Sequence, residues 1–249
     1  MRKIAIITGG SRGIGAATAE LAAKAGYDIC LNYLSNQARA AEVVATCEAL
    51  GARALAVQGD VASEPDMAAL FTTCDSALGP VDLLVNNAGI VGKTSRVDTL
   101  PAAALEHVFR VNVFGSIYCA QQAVRRMSSK YGGKGGAIVN LSSIAATIGS
   151  AGEYVHYAAS KGAIDSFTVG LAREVGREGI RVNSVQAGTA DTEVHTLGGG
   201  NPDRPAMVAA SAALGRVATP YEIAEAILWL GSEKASYATG IVLRVGGGL

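Results

Sequence analysis

A tyrosine phenol and a lysine amine four residues apart are the pair in this chain best suited to moving a proton. Tyr157 and Lys161 open the segment Tyr157–Glu178, which reads as a helix. Residues four apart share one helix face, so the two side chains point the same way. An unperturbed tyrosine has a pKa of ~10, too high for easy base work at neutral pH. A nearby ammonium favours the phenolate. Bringing the phenol to ~7 needs ~3 pKa units, or ~4 kcal/mol. Such a pair can protonate a carbonyl oxygen in a reduction or take the proton from an alcohol in an oxidation. Tyr154 lacks this arrangement, because the residue four further on is Ala158, and it reads as a pocket wall or a packed aromatic.

A second constellation opens the chain. Thr8-Gly9-Gly10-Ser11-Arg12-Gly13-Ile14-Gly15 follows an apolar run and leads into a helical one. Glycines in that context let the chain turn sharply (Gly9), admit a pyrophosphate to the backbone (Gly13) and allow close helix–strand packing (Gly15). The anion would sit at the helix N-terminus. An NAD-type site places an acid at the end of the second strand for the ribose 2′-hydroxyl. Here that stretch is Leu31-Asn32-Tyr33-Leu34-Ser35, with no acid, while Arg12 offers a guanidinium for a 2′-phosphate. NADP(H) is therefore favoured, with NAD(H) left open by the neutral hydrogen-bonding groups of Asn32 and Ser35.

The elements that must hold these groups alternate along the chain. Continuous β-branched runs predict strands at Ile4–Thr8, Asp28–Tyr33, Ala54–Gln58, Leu83–Val85, Ala137–Leu141, Arg181–Val185 and Ile241–Val245. Between them, helices are expected over Ile14–Lys24, Gln37–Leu50, Pro65–Ala77, Pro101–Met127, Tyr157–Glu178 and Tyr221–Leu230. This order implies right-handed βαβ units in an α/β, Rossmann-type doubly wound parallel sheet of seven strands, covered by helices on both faces. One domain over 1–249 is expected, with a long breaker-rich loop acting as a lid at about 189–215.

Composition narrows the function. Lys plus Arg and Asp plus Glu are 21 each, which argues against nucleic acid as a main partner. Glycine is 31 of 249 residues, roughly 12% against a usual ~7%, yet it has no three-residue period and only six prolines accompany it, which excludes collagen. The four cysteines form no CxxC and fit a reduced, cytoplasmic protein. No apolar run approaches the ~18 residues of a membrane span, and no His/Cys/Asp grouping has metal-ligand spacing. His195 reads as a solvated loop residue at the base of the lid.

The ordered set TGGSRGIG at 8–15, Asp60-Val61, Asn86-Asn87-Ala88-Gly89, Asn112, Ser143 and Tyr157-x-x-x-Lys161 resembles the short-chain dehydrogenase/reductase family from end to end. Within it the chain looks most like bacterial glucose-dehydrogenase-like and ketone-reducing members. The resemblance implies hydride transfer between nicotinamide C4 and a ketone or secondary alcohol. Tyr157 would be the general acid or base, Lys161 would lower its pKa, and Ser143 would hold the substrate oxygen. The spacing from Ser143 to Tyr157 is one residue longer than the resemblance implies, which places an extra residue in the 149–153 turn and keeps Ser142 open as the alternative. Asn112 would be a helix-kinking structural residue, a member of a water relay to Lys161, or both. Asp60 and Val61 would meet the adenine, and Asn86, Ala88 and Gly89 the adenosine ribose. Gly188, Thr189 and Thr192 would meet the nicotinamide end, with Ser11 and Ile14 in the phosphate turn and Asn32 and Tyr33 beside the ribose.

Two departures stand out. Ala187-Gly188 replaces a Pro-Gly, which implies a more mobile or reshaped loop, and near the C-terminus Gly246-Gly247-Gly248 stands where an Asp is common. The resemblance also implies a homotetramer, or a homodimer, built from the long helices and the last strand. Two other functions stay in view: an NADP-binding redox sensor without turnover, and an enoyl reductase, a group that spaces its Tyr and Lys more widely.

Overall fold

The structure is a computed structural model that describes residues 2–193 and 203–249. Seven parallel strands form one sheet: β1 (Lys3–Ile7), β2 (Tyr27–Tyr33), β3 (Ala54–Gln58), β4 (Leu83–Asn86), β5 (Gly136–Ser143), β6 (Ile180–Ala187) and β7 (Val242–Val245). Their order is β3-β2-β1-β4-β5-β6-β7. The order reverses between β1 and β4, and ligands of open α/β sheets bind outside the strand ends at such a switch point.

Strand alternation divides the core into two layers. Ala5 and Ile7 of β1 face one way, towards α1 (Gly13–Lys24), α2 (Gln37–Ala49) and α9 (Pro220–Gly231). Ile4 and Ile6 face the other, towards α3 (Glu64–Ala77), α5 (Gly115–Met127) and α7 (Val155–Val175). Both faces are thus buried, which is why the strands read as unbroken apolar runs. The four cysteines are free and buried, as expected of small apolar thiols.

The long helix expected over Pro101–Met127 is two helices. Pro101 is the N-cap of α4 (Ala102–Phe109), and a π turn at Arg110–Phe114 separates it from α5. The π turn carries Asn112, whose side chain bonds the 90 peptide on a neighbouring loop and so holds the local unwinding in place. A short α6 (Ala145–Ile148), not foreseen, follows β5. The helix expected to end at Glu178 ends at Val175 and closes in a 3₁₀ turn, Gly176–Glu178.

The expected lid at 189–215 falls partly on residues 194–202, which lie outside the described residues, as does His195. Within the remainder, α8 (Arg204–Ser211) is a helix, not a structureless loop. Ala187 completes β6, paired with Ser143 on one side and Val245 on the other. The terminal glycines have a packing reason. A Cβ on Gly188 would lie 2.8 Å from Gly246 Cα, and one on Gly248 would lie 2.4 Å from Ala213 Cβ. The chain end is therefore packed tightly between β6 and the segment after α8.

Candidate active site

The glycine turn is built from backbone and braced by asparagines. Gly9 and Gly13 have φ of +60° and +54°, a region that L side chains rarely adopt. A Cβ on Gly15 would lie 2.4 Å from the Gly9 carbonyl oxygen and 2.5 Å from Asn87 Nδ2. Asn87 Nδ2 donates to the Thr8 and Gly9 carbonyls, at 2.8 and 3.0 Å, and Thr8 Oγ1 accepts from the Asn87 and Ala88 amides, each at 3.0 Å. The first turn is therefore fixed by the loop after β4.

Helix α1 begins without a side-chain cap and without an acidic residue in its first turn. Asn36, Ser63 and Thr219 cap α2, α3 and α9. The uncapped amides of α1, opening beside Gly13, fit a pyrophosphate. A Cβ on Gly13 would meet Thr192 Cγ2 at 3.2 Å, so the loop after β6 reaches over the same turn. Ser11 and Ile14 are half-buried along it and Arg12 is exposed. These residues fit a dinucleotide.

Two residues expected at the ribose turn inward instead. Asn32 is buried: its Nδ2 donates to the Gly59 carbonyl at 2.8 Å, and its Oδ1 accepts from the Gly9 amide at 3.4 Å. It ties β2 to the turns on either side and has no face left for a cofactor. Asn86 is also buried, donating to Asn140 Oδ1 at 2.9 Å and to the Ser116 carbonyl at 3.2 Å. The expectation at Asn32 is corrected because its buried amide spends its hydrogen bonds within the fold, whereas Asn86 Oδ1 is buried without a partner and its side chain braces β4 against β5. Tyr33 packs into the core beneath α2, and Val61 is buried against Gly115. Asp60 Oδ1 accepts from the Ala62 amide at 2.9 Å, a turn contact that precedes α3.

The other half of the site gathers at the ends of β5 and β6. Ser142 is buried, donating to the Lys161 carbonyl at 3.2 Å, whereas Ser143 faces Tyr157 within hydrogen-bonding reach. Successive strand residues point to opposite faces, so only one of the two serines can face the phenol. Ser143 Oγ also accepts from the Ala145 amide at 3.1 Å. Lys161 Nζ lies 5.7 Å from the Tyr157 ring centre and donates to the Leu141 carbonyl at 2.6 Å.

Asn112 uses its amide on both the amide and the carbonyl of Ile90, at 2.8 and 2.9 Å, and on Ser160 Oγ at 3.0 Å. That is the structural role. A Cβ on Gly89 would lie 3.3 Å from Asn112 Oδ1 and 3.4 Å from Lys161 Nζ, so the glycine keeps the approach between the two groups clear. Gly188 donates to the Val245 carbonyl at 2.8 Å, and the Thr189 carbonyl accepts from Ala218 at 3.0 Å, which anchors the base of the loop after β6.

The electrostatics run against one expectation. Burial pushes the Tyr157 phenol above its ordinary pKa; the hydrogen bond to Ser143 and the charge of Arg204 pull the other way without prevailing. Burial also pushes the Lys161 amine down, to about 8, against the pull of Asp165. In the protein alone, then, Lys161 does not bring the phenol towards neutrality, because burial disfavours the charged form of each. Asp165, four residues past Lys161, accepts from Ser184 Oγ at 3.0 Å and Gln186 Nε2 at 2.7 Å, and so fastens α7 to β6.

The 149–153 turn, where an extra residue was expected, holds Gly149, Ser150 and Gly152 at positive φ. It delivers Glu153 and Tyr154. Tyr154 is a packed aromatic, its hydroxyl accepting from Thr94 Oγ1 at 2.9 Å. Glu153 pairs with Arg204 of α8, whose guanidinium lies 5.2 Å from the Tyr154 ring centre. Neither member of this pair carried a sequence signal.

Known proteins agree with this architecture. A family model described as enoyl-(acyl carrier protein) reductase matches residues 9–249. An uncharacterized oxidoreductase of Escherichia coli, YgfF, is 47% identical over 98% of this chain and 99% of its own length. An L-rhamnose 1-dehydrogenase (NAD(P)(+)) of Sphingomonas is 38% identical over 99% of this chain and 96% of its own. A solved short-chain dehydrogenase/reductase from Serratia marcescens superposes with a TM-score of 0.90 at 32% identity, covering 99% of this chain and 97% of its own. With its sheet order, glycine turn and Ser–Tyr–Lys cluster, the chain belongs to the short-chain dehydrogenase/reductase family and is an oxidoreductase enzyme of that family.

Proposed function

We propose that the protein is an NADP(H)-dependent dehydrogenase/reductase that interconverts a ketone or aldehyde and the corresponding alcohol, with Tyr157 as the proton donor or acceptor. The observation that carries the reading is the convergence of the Ser143 hydroxyl on the Tyr157 phenol, with Lys161 buried beneath. When bound, the cofactor supplies a hydride at nicotinamide C4 in reduction and takes one up in oxidation. In reduction the carbonyl carbon gains the hydride and the carbonyl oxygen gains the Tyr157 proton, which solvent then replaces. Ser143 donates a hydrogen bond to that oxygen as negative charge develops on it. Lys161, held by the Leu141 carbonyl, stands where its charge would stabilise the phenolate left behind. Asn112 fixes the loop around Ile90 and Gly89 beside this amine, and a water between the two would complete the path to solvent.

The NADP preference rests on Arg12, exposed at the start of α1, and on the absence of an acid at the end of β2. The relative that uses both cofactors keeps NAD(H) in view. A ratio of kcat/KM for NADPH over NADH above one supports the preference, and Arg12→Ala is expected to lower it by about 10-fold, the loss of one charge-assisted contact. Assembly into a homotetramer or homodimer fits the exposed Leu105 and Phe114 on the α4–α5 side and the exposed Trp229 and Tyr237 near β7. Residence in the cytoplasm fits four buried, unpaired thiols, and no helix among the described residues is long and apolar enough to cross a membrane.

The test of the mechanism is Tyr157→Phe. It is expected to keep NADPH affinity, read by fluorescence titration, and to lose carbonyl reduction by ~10²–10⁴-fold, the usual range of general acid catalysis. Turnover near the parent rate would refute it. A second reading, reduction of a C=C bond, takes support from the description of the matching family model. Paired assays with a β-ketoacyl and an enoyl thioester separate the two.

A further inference from the structure

His156 is a buried titratable group that the mechanism leaves unused. It is the second residue of α7 and only 3% exposed, and neither ring nitrogen has a hydrogen-bond partner. A buried polar group in that state calls for an explanation. Neighbouring helix positions diverge by roughly 100°, so the imidazole points away from the side that Tyr157 presents to Ser143. It rests on the loop after β4. Gly92 there has φ of +81°, and a Cβ on it would lie 3.0 Å from His156 Nε2 and 3.0 Å from Val108 Cγ2 of α4.

The same loop passes the reacting centre. A Cβ on Gly89 would lie 3.4 Å from Lys161 Nζ, and Ile90 is bonded through both its amide and its carbonyl to Asn112. Further on, Thr94 is tied to the Tyr154 hydroxyl and the Ser95 amide to the Glu153 carbonyl. His156 packs between these two sets of ties. Helix α7 thus meets both ends of the run 89–92, with Lys161 at Gly89 and His156 at Gly92.

This slot suits a neutral imidazole and rejects a cation. Burial holds the pKa of His156 below the ordinary histidine value, and the Val91 backbone pulls the other way without prevailing. An imidazolium would bring two N–H donors to a place where neither nitrogen has a bonded acceptor. It would also sit in the first turn of a helix with no side-chain cap, at the positive end of the dipole. The ionisable side chains on the surrounding elements are Lys93 on the loop, Glu106, His107 and Arg110 on α4 and the π turn, and Glu153, Tyr157 and Lys161 before and on α7. None of them bonds the ring. The folded state therefore takes up this proton less readily than the unfolded chain, and its hold on the loop weakens as pH falls below ~6.5. Outward movement of the loop would relieve the charge by admitting water to the ring.

We propose that His156 is a positioning residue for the reaction: its neutral ring seats the 89–92 loop against α7 beside Lys161, and protonation unseats that loop and turns carbonyl reduction down in acid. The inference rests on Ser143, Tyr157 and Lys161 being the reacting centre.

Two readouts test it. Hydrogen exchange read by mass spectrometry, corrected for the intrinsic rate, follows the peptide covering 89–96 at pH 5.5 and 7.5. In parallel, kcat/KM with NADPH is measured from pH 5 to 8 on a panel of uncharged ketones, cyclohexanone among them. In the wild type that peptide should exchange roughly 3-fold faster or more at pH 5.5, and kcat/KM should be lower at pH 5 than at pH 7 by a similar factor. His156→Gln, whose amide does not titrate, should show neither change relative to its own values at pH 7.5, whereas His107→Gln, at an exposed position, should keep both. Lys161, held at about 8, titrates on the alkaline side and does not supply this acid limb. Equal wild-type exchange at the two pH values overturns the proposal even if His156→Gln does not fold. A wild-type rate flat from pH 5 to 7, or an acid limb that survives in His156→Gln, overturns it as well. Faster exchange in acid with no turnover of any ketone overturns the reacting-centre reading, and with it the part of His156 in the reaction, while its hold on the loop stands.

Discussion

The two halves of the cleft are built on opposite principles. On the β1–β4 side the ligand would meet backbone: uncapped amides of α1, glycines at positive φ, and carbonyls tied down by Asn87 and Asn32. The Asn32 and Asn87 amides are engaged within the fold, so the turn is braced before anything binds. On the β5–β6 side the working groups are side chains, a half-buried Ser143 and Tyr157 and a buried Lys161, and desolvation disfavours the charged forms of the phenol and the amine. Binding a diphosphate calls for fixed dipoles, and transferring a proton calls for groups whose charge can change. The first is secured by geometry and the second by environment.

That contrast can be broken most sharply at Gly15. Its absent Cβ is what lets α1 close on the Gly9 carbonyl and Asn87. Gly15→Ala should weaken NADPH binding by ~100-fold or more while circular dichroism stays native, because a pyrophosphate site tolerates little displacement of its turn. Unchanged affinity would mean that the cradle is not held by this contact.

The catalytic half should respond to pH where the cradle does not. With the Tyr157 phenol raised above its ordinary value, reduction has its proton available at neutral pH and loses it only as pH climbs through that raised pKa. Oxidation needs the phenolate, so kcat for the alcohol should rise ~10-fold per pH unit through the neutral range, unless bound cofactor lowers the pKa. A flat oxidative profile from pH 6 to 9 would place the phenol's effective pKa below that range.

Asn87→Ala probes the bracing itself. It leaves the Thr8 and Gly9 carbonyls without their side-chain donor, at a cost of about 1–2 kcal/mol, or roughly 5–30-fold in NADPH affinity. Its kcat at saturating cofactor should change less than its Kd. Equal losses in both would erase the division between the halves.

The smallest effect is expected at Ser150, the non-glycine residue at positive φ in the turn that delivers Glu153 and Tyr154. Ser150→Gly should raise stability by up to ~1 kcal/mol, read as a higher denaturant midpoint. A loss of stability would show that the serine side chain contributes more there than its backbone conformation costs.

Much of this arrangement was legible in the chain. Unbroken β-branched runs alternating with Ala-rich helices set the seven strands, because strands covered on both faces have no polar side to show. The glycine spacing marked the turn after β1, and the four-residue step from Tyr157 to Lys161 put both on one face of α7. These are local facts, fixed by dihedral freedom and helix period. Only the tertiary structure decided the rest. Which serine faces Tyr157 depends on the register of β5 beside β6. Asn32 and Asn86 turned inward because neighbouring strands offered them partners that no linear pattern shows. The π turn at Asn112 follows from a loop 22 residues away along the chain. The pairing of Arg204 with Glu153 joins residues 51 apart, from segments with no periodicity to read. Local sequence specifies what a residue can do. Burial and long-range packing specify which of those capacities remain free.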